Sequence, residues 1–110
     1  MEAQRFREMA VRAWRDEVFS RFDVIATAAT QTTATPIEKS DLSVVFSLIR
    51  LTNPINLIGA PAISVPCGFS PEVLPIGLQL TGRWWDEATV LRAAFAYEQA
   101  TAWNKRRPPP

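Results

Sequence analysis

Two short alternating apolar runs, AISVPCGF (62 to 69) and PIGLQLTG (75 to 82), are joined by only five residues, SPEVL. A link of that length closes an antiparallel hairpin, whereas parallel neighbours need a crossover of a dozen or more residues. Alternation then assigns the faces: Ile63, Val65 and Cys67 share one with Ile76, Leu78 and Leu80, while Ala62, Ser64, Gly77, Gln79 and Thr81 share the other. One face is bulky and the other small. A small face carrying a glycine in mid-strand either meets water or admits another backbone at close range.

Other segments surround this hairpin. From Glu2 to about Phe19, Phe6, Met9, Ala10, Ala13, Trp14 and Val18 recur at spacings of three and four, a single stripe of an amphipathic helix. FDVIATAA (22 to 29) reads as a strand, and TQTTATPIEKS as a loop of turn formers. Ser40 or Asp41 caps a helix to about Arg50 that is apolar on two sides and so expects cover on two sides. Roughly thirty residues with a helix separate the first strand from the second, enough for a right-handed crossover between parallel strands. Asp86 caps a last helix to about Trp103, with Val90, Leu91, Ala94, Phe95, Tyr97 and Ala102 facing inward.

The expected fold class is therefore α/β, a small mixed β-sheet of three strands (23 to 28, 62 to 67, 76 to 81) with one antiparallel hairpin and about three helices. Residues 1–103 form a single domain, and 104–110, NKRRPPP, a flexible tail. The chain's 110 residues, 47% of them hydrophobic, suffice for one core and not for two. A net charge of +1 gives no footprint for nucleic acid. Charges interrupt the N-terminal segment where a signal peptide needs an apolar run, and no stretch approaches a membrane span. The expected location is the cytoplasm, and the single Cys67 suits a reducing compartment.

Asn56, Gly59, Pro61 and Ala62 in NLIGAPAISVPCG, followed by PIGLQLTG and a helix opening DEATVLRAAFAYEQ, resemble the C-terminal portion of the amidase signature family, with the likeness running from about Phe22 to Gln99. That family includes amide hydrolases and the amidase subunit of glutamyl-tRNA amidotransferase. The resemblance implies hydrolysis of a carboxamide by a serine nucleophile, with a second serine and a lysine relaying protons, from a Gly/Ser-rich segment upstream of this region. Here the four glycines are scattered singly, and the only lysines, Lys39 and Lys105, lie outside any such segment. No catalytic residue of that relay is expected in this chain. The absence of histidine removes Ser-His-Asp and Cys-His arrangements as well.

Metal ligands and cofactors are not expected either, with one cysteine and no clustered carboxylates. Cys67 on the bulky face reads as core packing, and Lys39-Ser40 as an ordinary loop before a cap. Asn56, Gly59 and Gln79 remain as candidates for one wall beside a substrate site. Trp84 and Trp85 offer a platform, one closing the core and the other forming a rim. Pro54 and Pro61 are expected to end and redirect a helix, Gly59 to permit a turn, and Pro66 to restrict strand pairing.

Three functions fit: an amidase-like C-terminal fragment without catalysis of its own, a free-standing binding or assembly protein, and a small enzyme with a composite site between subunits. Expected partners are a second copy of the chain, through the Phe6-Met9-Ala13-Trp14 stripe or an open hairpin edge at 75 to 80, and the missing N-terminal amidase portion.

Overall fold

The computed structural model describes residues 1–107. Helix α1 (Glu2–Ala13) runs without a break into a π-helical turn, Trp14–Val18. Strand β1 (Val24–Ala28) follows, then a 3-10 turn (Ile37–Lys39) and two short helices, α2 (Leu42–Ile49) and α3 (Asn53–Ile58). The hairpin is β2 (Ala62–Phe69) and β3 (Pro75–Gly82), and α4 (Glu87–Thr101) closes the fold.

The hairpin forms where the five-residue link demands it. Within the link, Ser70 N–H donates to Leu74 O at 2.8 Å and Val73 N–H to Ser70 O at 2.9 Å, with Val73 at φ 63°. Its pairing shifts between Pro66 and Gly68, the bulge expected where proline cannot donate to the ladder.

The α/β class and the three strands stand as the sequence predicts, but the expected mixed ladder does not. Strand order is β1-β3-β2 and both pairings are antiparallel. β1 and β2 do run in the same direction, yet β3 lies between them, with Thr27 opposite Gln79 on one side and Ser64 opposite Gln79 on the other. The 75 to 80 segment is thus the sheet's centre, not an open edge. The linking segment between β1 and β2 spans two strand positions instead of one.

A second difference lies in NPINLIG. Pro54 does not merely end a helix; it sits in the first turn of α3, where its missing N–H removes a donor that would have no intrahelical partner. Gly59 then stops α3 in the left-handed conformation, φ 68°, its N–H donating to Ile55 O at 2.9 Å. Asp41 caps α2, accepting from Val44 N–H at 3.0 Å, and Asp86 caps α4 through Thr89.

α4 packs on the bulky face around Val65, Leu80 and Ala94, with Val24, Ile63, Leu78, Ala93 and Tyr97 against them. Cys67 is half-buried there, its thiol donating to Ile76 O at 3.5 Å. Leu91 and Phe95, expected inward, lie 58% and 63% exposed on α4's outer side. A second apolar group runs Trp14, Phe19, Trp84, with ring centroids 5.8 and 5.5 Å apart. Beyond α4, a 3-10 turn (Trp103–Lys105) precedes Arg106, whose guanidinium lies 4.5 Å over the Phe69 ring. Of the expected tail, 108–110 fall outside the described residues.

The whole is a slab of 48 × 37 × 17 Å. Its radius of gyration, 16.0 Å, compares with about 13–14 Å for a compact domain of this length.

Candidate functional site

The small face of the sheet is crowded at Gly77. Gly77 has room for no side chain: a Cβ there would stand 2.8 Å from Ser64 Oγ and 3.1 Å from Ala29 Cβ. Beside it the corner between α2 and α3 leans onto the face, and Gln79, 6% exposed, donates from Nε2 to Leu51 O and to Thr27 Oγ1, both at 3.2 Å. A cavity of about 180 Å³ remains under that corner, lined by Trp14, Ile25, Ile55, Gln79 and Thr81 among others.

A larger feature lies among α1, α2 and α3. Phe6, Ala10, Trp14, Phe46, Ile49 and Leu57 line an open apolar cleft of about 950 Å³, with Arg50, Asn53 and Asn56 supplying its polar atoms. None of α1's residues is buried, and Phe6 and Met9 are 62% and 68% exposed. The helix is held across the cleft by Arg7, whose Nε donates to Leu57 O at 2.8 Å.

The three candidate wall residues do not converge. Asn56 is exposed and lines the large cleft, Gly59 lies at a separate notch beside Trp84 and Trp85, and Gln79 faces the small cavity. Gln79's bonds account for its burial by structure alone. Trp84 and Trp85 divide as the sequence suggests: Trp84 donates its indole N–H to Ile58 O at 2.8 Å, and Trp85 is 93% exposed. Sequence reading misses Arg83, which donates to Phe19 O at 2.9 Å and pairs with Asp23 at 2.5 Å. Its acceptors lie in a distant loop that no local pattern marks.

The titratable side chain in the cleft's lining is Arg50. The groups with shifted titration are Arg15 and Asp16, bonded to each other, Asp41, held below the usual carboxylate range by the Ser43 hydroxyl, and Glu72, lowered by Ser70. None of these lines the cleft. Among the described residues, no cluster of three or more His, Cys, Asp and Glu could hold a metal ion.

A family model described as Amidase matches residues 1–91. The chain belongs to the amidase family. The match takes in α1, which the sequence resemblance beginning at Phe22 leaves out. A glutamyl-tRNA(Gln) amidotransferase subunit of Oceanobacillus iheyensis is 48% identical over 95 residues, covering 84% of this chain and 20% of that protein. Its counterpart in Geobacillus stearothermophilus is 46% identical over 109 residues, covering 97% of this chain and 22% of its own length. Among solved structures, the Thermotoga maritima counterpart aligns with a TM-score of 0.70 at 37% identity, over 89% of this chain and 23% of that one. A 6-aminohexanoate cyclic dimer hydrolase aligns at 0.76 and 26% identity, over 97% and 24%. The chain spans about a fifth of the length of the curated relatives it matches.

Proposed function

We propose that this chain is a non-catalytic C-terminal part of an amidase-family carboxamide hydrolase, silent alone because the Gly/Ser-rich nucleophile segment is not among its residues. The observation that carries this reading is the size of the exposed surface, which includes large apolar side chains on both faces. A folded monomer of this mass exposes about 6,100 Å² by the usual scaling; this chain exposes 8236 Å². The excess, about 2,100 Å², is the size of a substantial interface. The surface also lies on both sides of the slab, at the α1–α3 cleft and at Leu91 and Phe95 of α4. A larger polypeptide can cover both sides at once.

In that setting Asn56, exposed in the large cleft, is the candidate wall residue open to the rest of the polypeptide, while Gly59 lies at a separate notch and Gln79 under the α2–α3 corner. The expected compartment is the cytoplasm; among the described residues no helix is long and apolar enough to cross a membrane.

The test is a chimera in which this chain replaces the 95 matched residues of the Oceanobacillus iheyensis relative. Carboxamide hydrolysis by the chimera, and none by the isolated chain, supports the reading. A folded chimera without activity, or an active isolated chain, contradicts it.

A second reading is favoured by the exposed α1 stripe: the free chain covers Phe6, Met9, Ala13 and Trp14 against a second copy about a two-fold axis. Sedimentation at micromolar concentration decides it, a clean monomer refuting the idea.

A further inference from the structure

We propose that Trp85 is the anchor through which this chain docks onto the catalytic portion of an amidase polypeptide, an inference that rests on the scaffold reading above. Trp85 combines two costly features. Its backbone is in the left-handed region, φ 66°, which a bulky side chain avoids, and its indole is 93% exposed. The positive φ belongs to the turn that Asp86 N–H closes on Arg83 O, at a position usually held by glycine, and nothing in the folded chain covers the indole that stands there instead.

The residues around it are fixed inward. Arg83 is bonded to Phe19 O and paired with Asp23, Trp84 is bonded to Ile58 O, and Asp86 receives Thr89 while its own N–H donates to Arg83 O at 3.2 Å. The turn between β3 and α4 is therefore a rigid pedestal that sends one indole outward. Beside the indole lies a notch of about 180 Å³ formed with Gly59, Ala60, Pro61 and Glu87. Arg7 of α1 borders the notch, its guanidinium 3.5 Å from where a Gly59 Cβ would stand. Indole and notch make one surface, distinct from the α1–α3 cleft.

Three observations select the occupant. The two curated relatives are about five times as long as the matched region, so each carries further polypeptide able to cover it. The uncovered area exceeds that of a monomer by about 2,100 Å². Exposed apolar groups lie on opposite sides of the slab, which one two-fold contact between copies leaves half open. The matching chemistry on the partner is an apolar socket for the indole, and tryptophan in such a socket is characteristic of the few residues that dominate binding.

The experiment measures binding of this chain to the Oceanobacillus iheyensis relative from which the 95 matched residues have been deleted. Trp85→Ala is expected to weaken binding about 30-fold or more, and Trp85→Phe to retain most of it. The thermal midpoint of isolated Trp85→Ala does not fall. Because the truncated partner can fail to fold, the same substitutions are also compared within the covalent chimera, where Trp85→Ala lowers the midpoint although it does not in the isolated chain. Binding by Trp85→Ala within a few-fold of the unsubstituted chain, or equal effects in chimera and isolated chain, overturns the assignment. Failure of the unsubstituted chain to bind a folded partner, or of the chimera to fold, overturns the scaffold reading and this inference with it.

Discussion

Gln79 in the central strand donates its side-chain amide to the backbone carbonyl of Leu51, 28 residues earlier, at 3.2 Å. That bond fastens the α2–α3 corner to the small face of the sheet, and the same nitrogen reaches Thr27 on β1. One side chain thus ties three segments together. Replacing it by leucine leaves the Leu51 carbonyl without its donor under the corner, so Gln79→Leu is expected to destabilise the chain by about 1–3 kcal/mol. Urea unfolding monitored by circular dichroism checks this; an unchanged midpoint contradicts it.

Gly82 ends the central strand directly under α4. A Cβ at that position would collide with the Val90 side chain, so Gly82→Ala is expected to cost about 1–3 kcal/mol through overpacking. Pairing it with Val90→Ala should recover part of the loss, a non-additivity visible in a double-mutant cycle. Purely additive losses would show that the contact is not the cause.

The α2 cap makes local structure depend on acidity. Ser43 hydroxyl and then Val44 N–H hold the Asp41 carboxyl below its ordinary range. A lowered folded value contributes stability above the unfolded value, about 3.9, that fades as pH falls through the folded one. Acidification below about pH 4 should therefore loosen the first turn of α2. Asp41→Asn keeps a capping side chain and should flatten that dependence, read by amide exchange across residues 42 to 45.

Backbone strain at Trp85 predicts a gain. Glycine occupies φ 66° without a Cβ clash, so Trp85→Gly is expected to leave the isolated chain as stable or up to about 1 kcal/mol more stable. A fall in its thermal midpoint would mean that the exposed indole has contacts within the folded chain.

Much of this fold can be read from local pattern. The hairpin is legible because five residues allow little else, and both Asp caps because a carboxylate preceding an apolar period has a specific geometric use. The place of β1 is not legible. The crossover rule permits it beside β2, and only the tertiary competition for β3's free edge puts it on the far side. α3 is hidden because Pro54 signals both a stop and a first turn. The spacing of Leu91 and Phe95 points them inward, but the sheet is too narrow to cover them. At the candidate site, Gln79's burial can be foreseen from a polar residue on a small face, whereas its partner, a carbonyl in a distant corner, carries no sequence mark. The NLIGAPAISVPCG segment offers Asn56 and Gly59 and the small strand face offers Gln79, and the fold places them at three separate surfaces.

The most direct measurement is ammonia release from simple aliphatic and aromatic carboxamides by the purified chain. A scaffold without the nucleophile segment hydrolyses them no faster than buffer. Turnover that survives rigorous purification and disappears on Ser64→Ala or Cys67→Ala would contradict that, and would place the chemistry within these 110 residues.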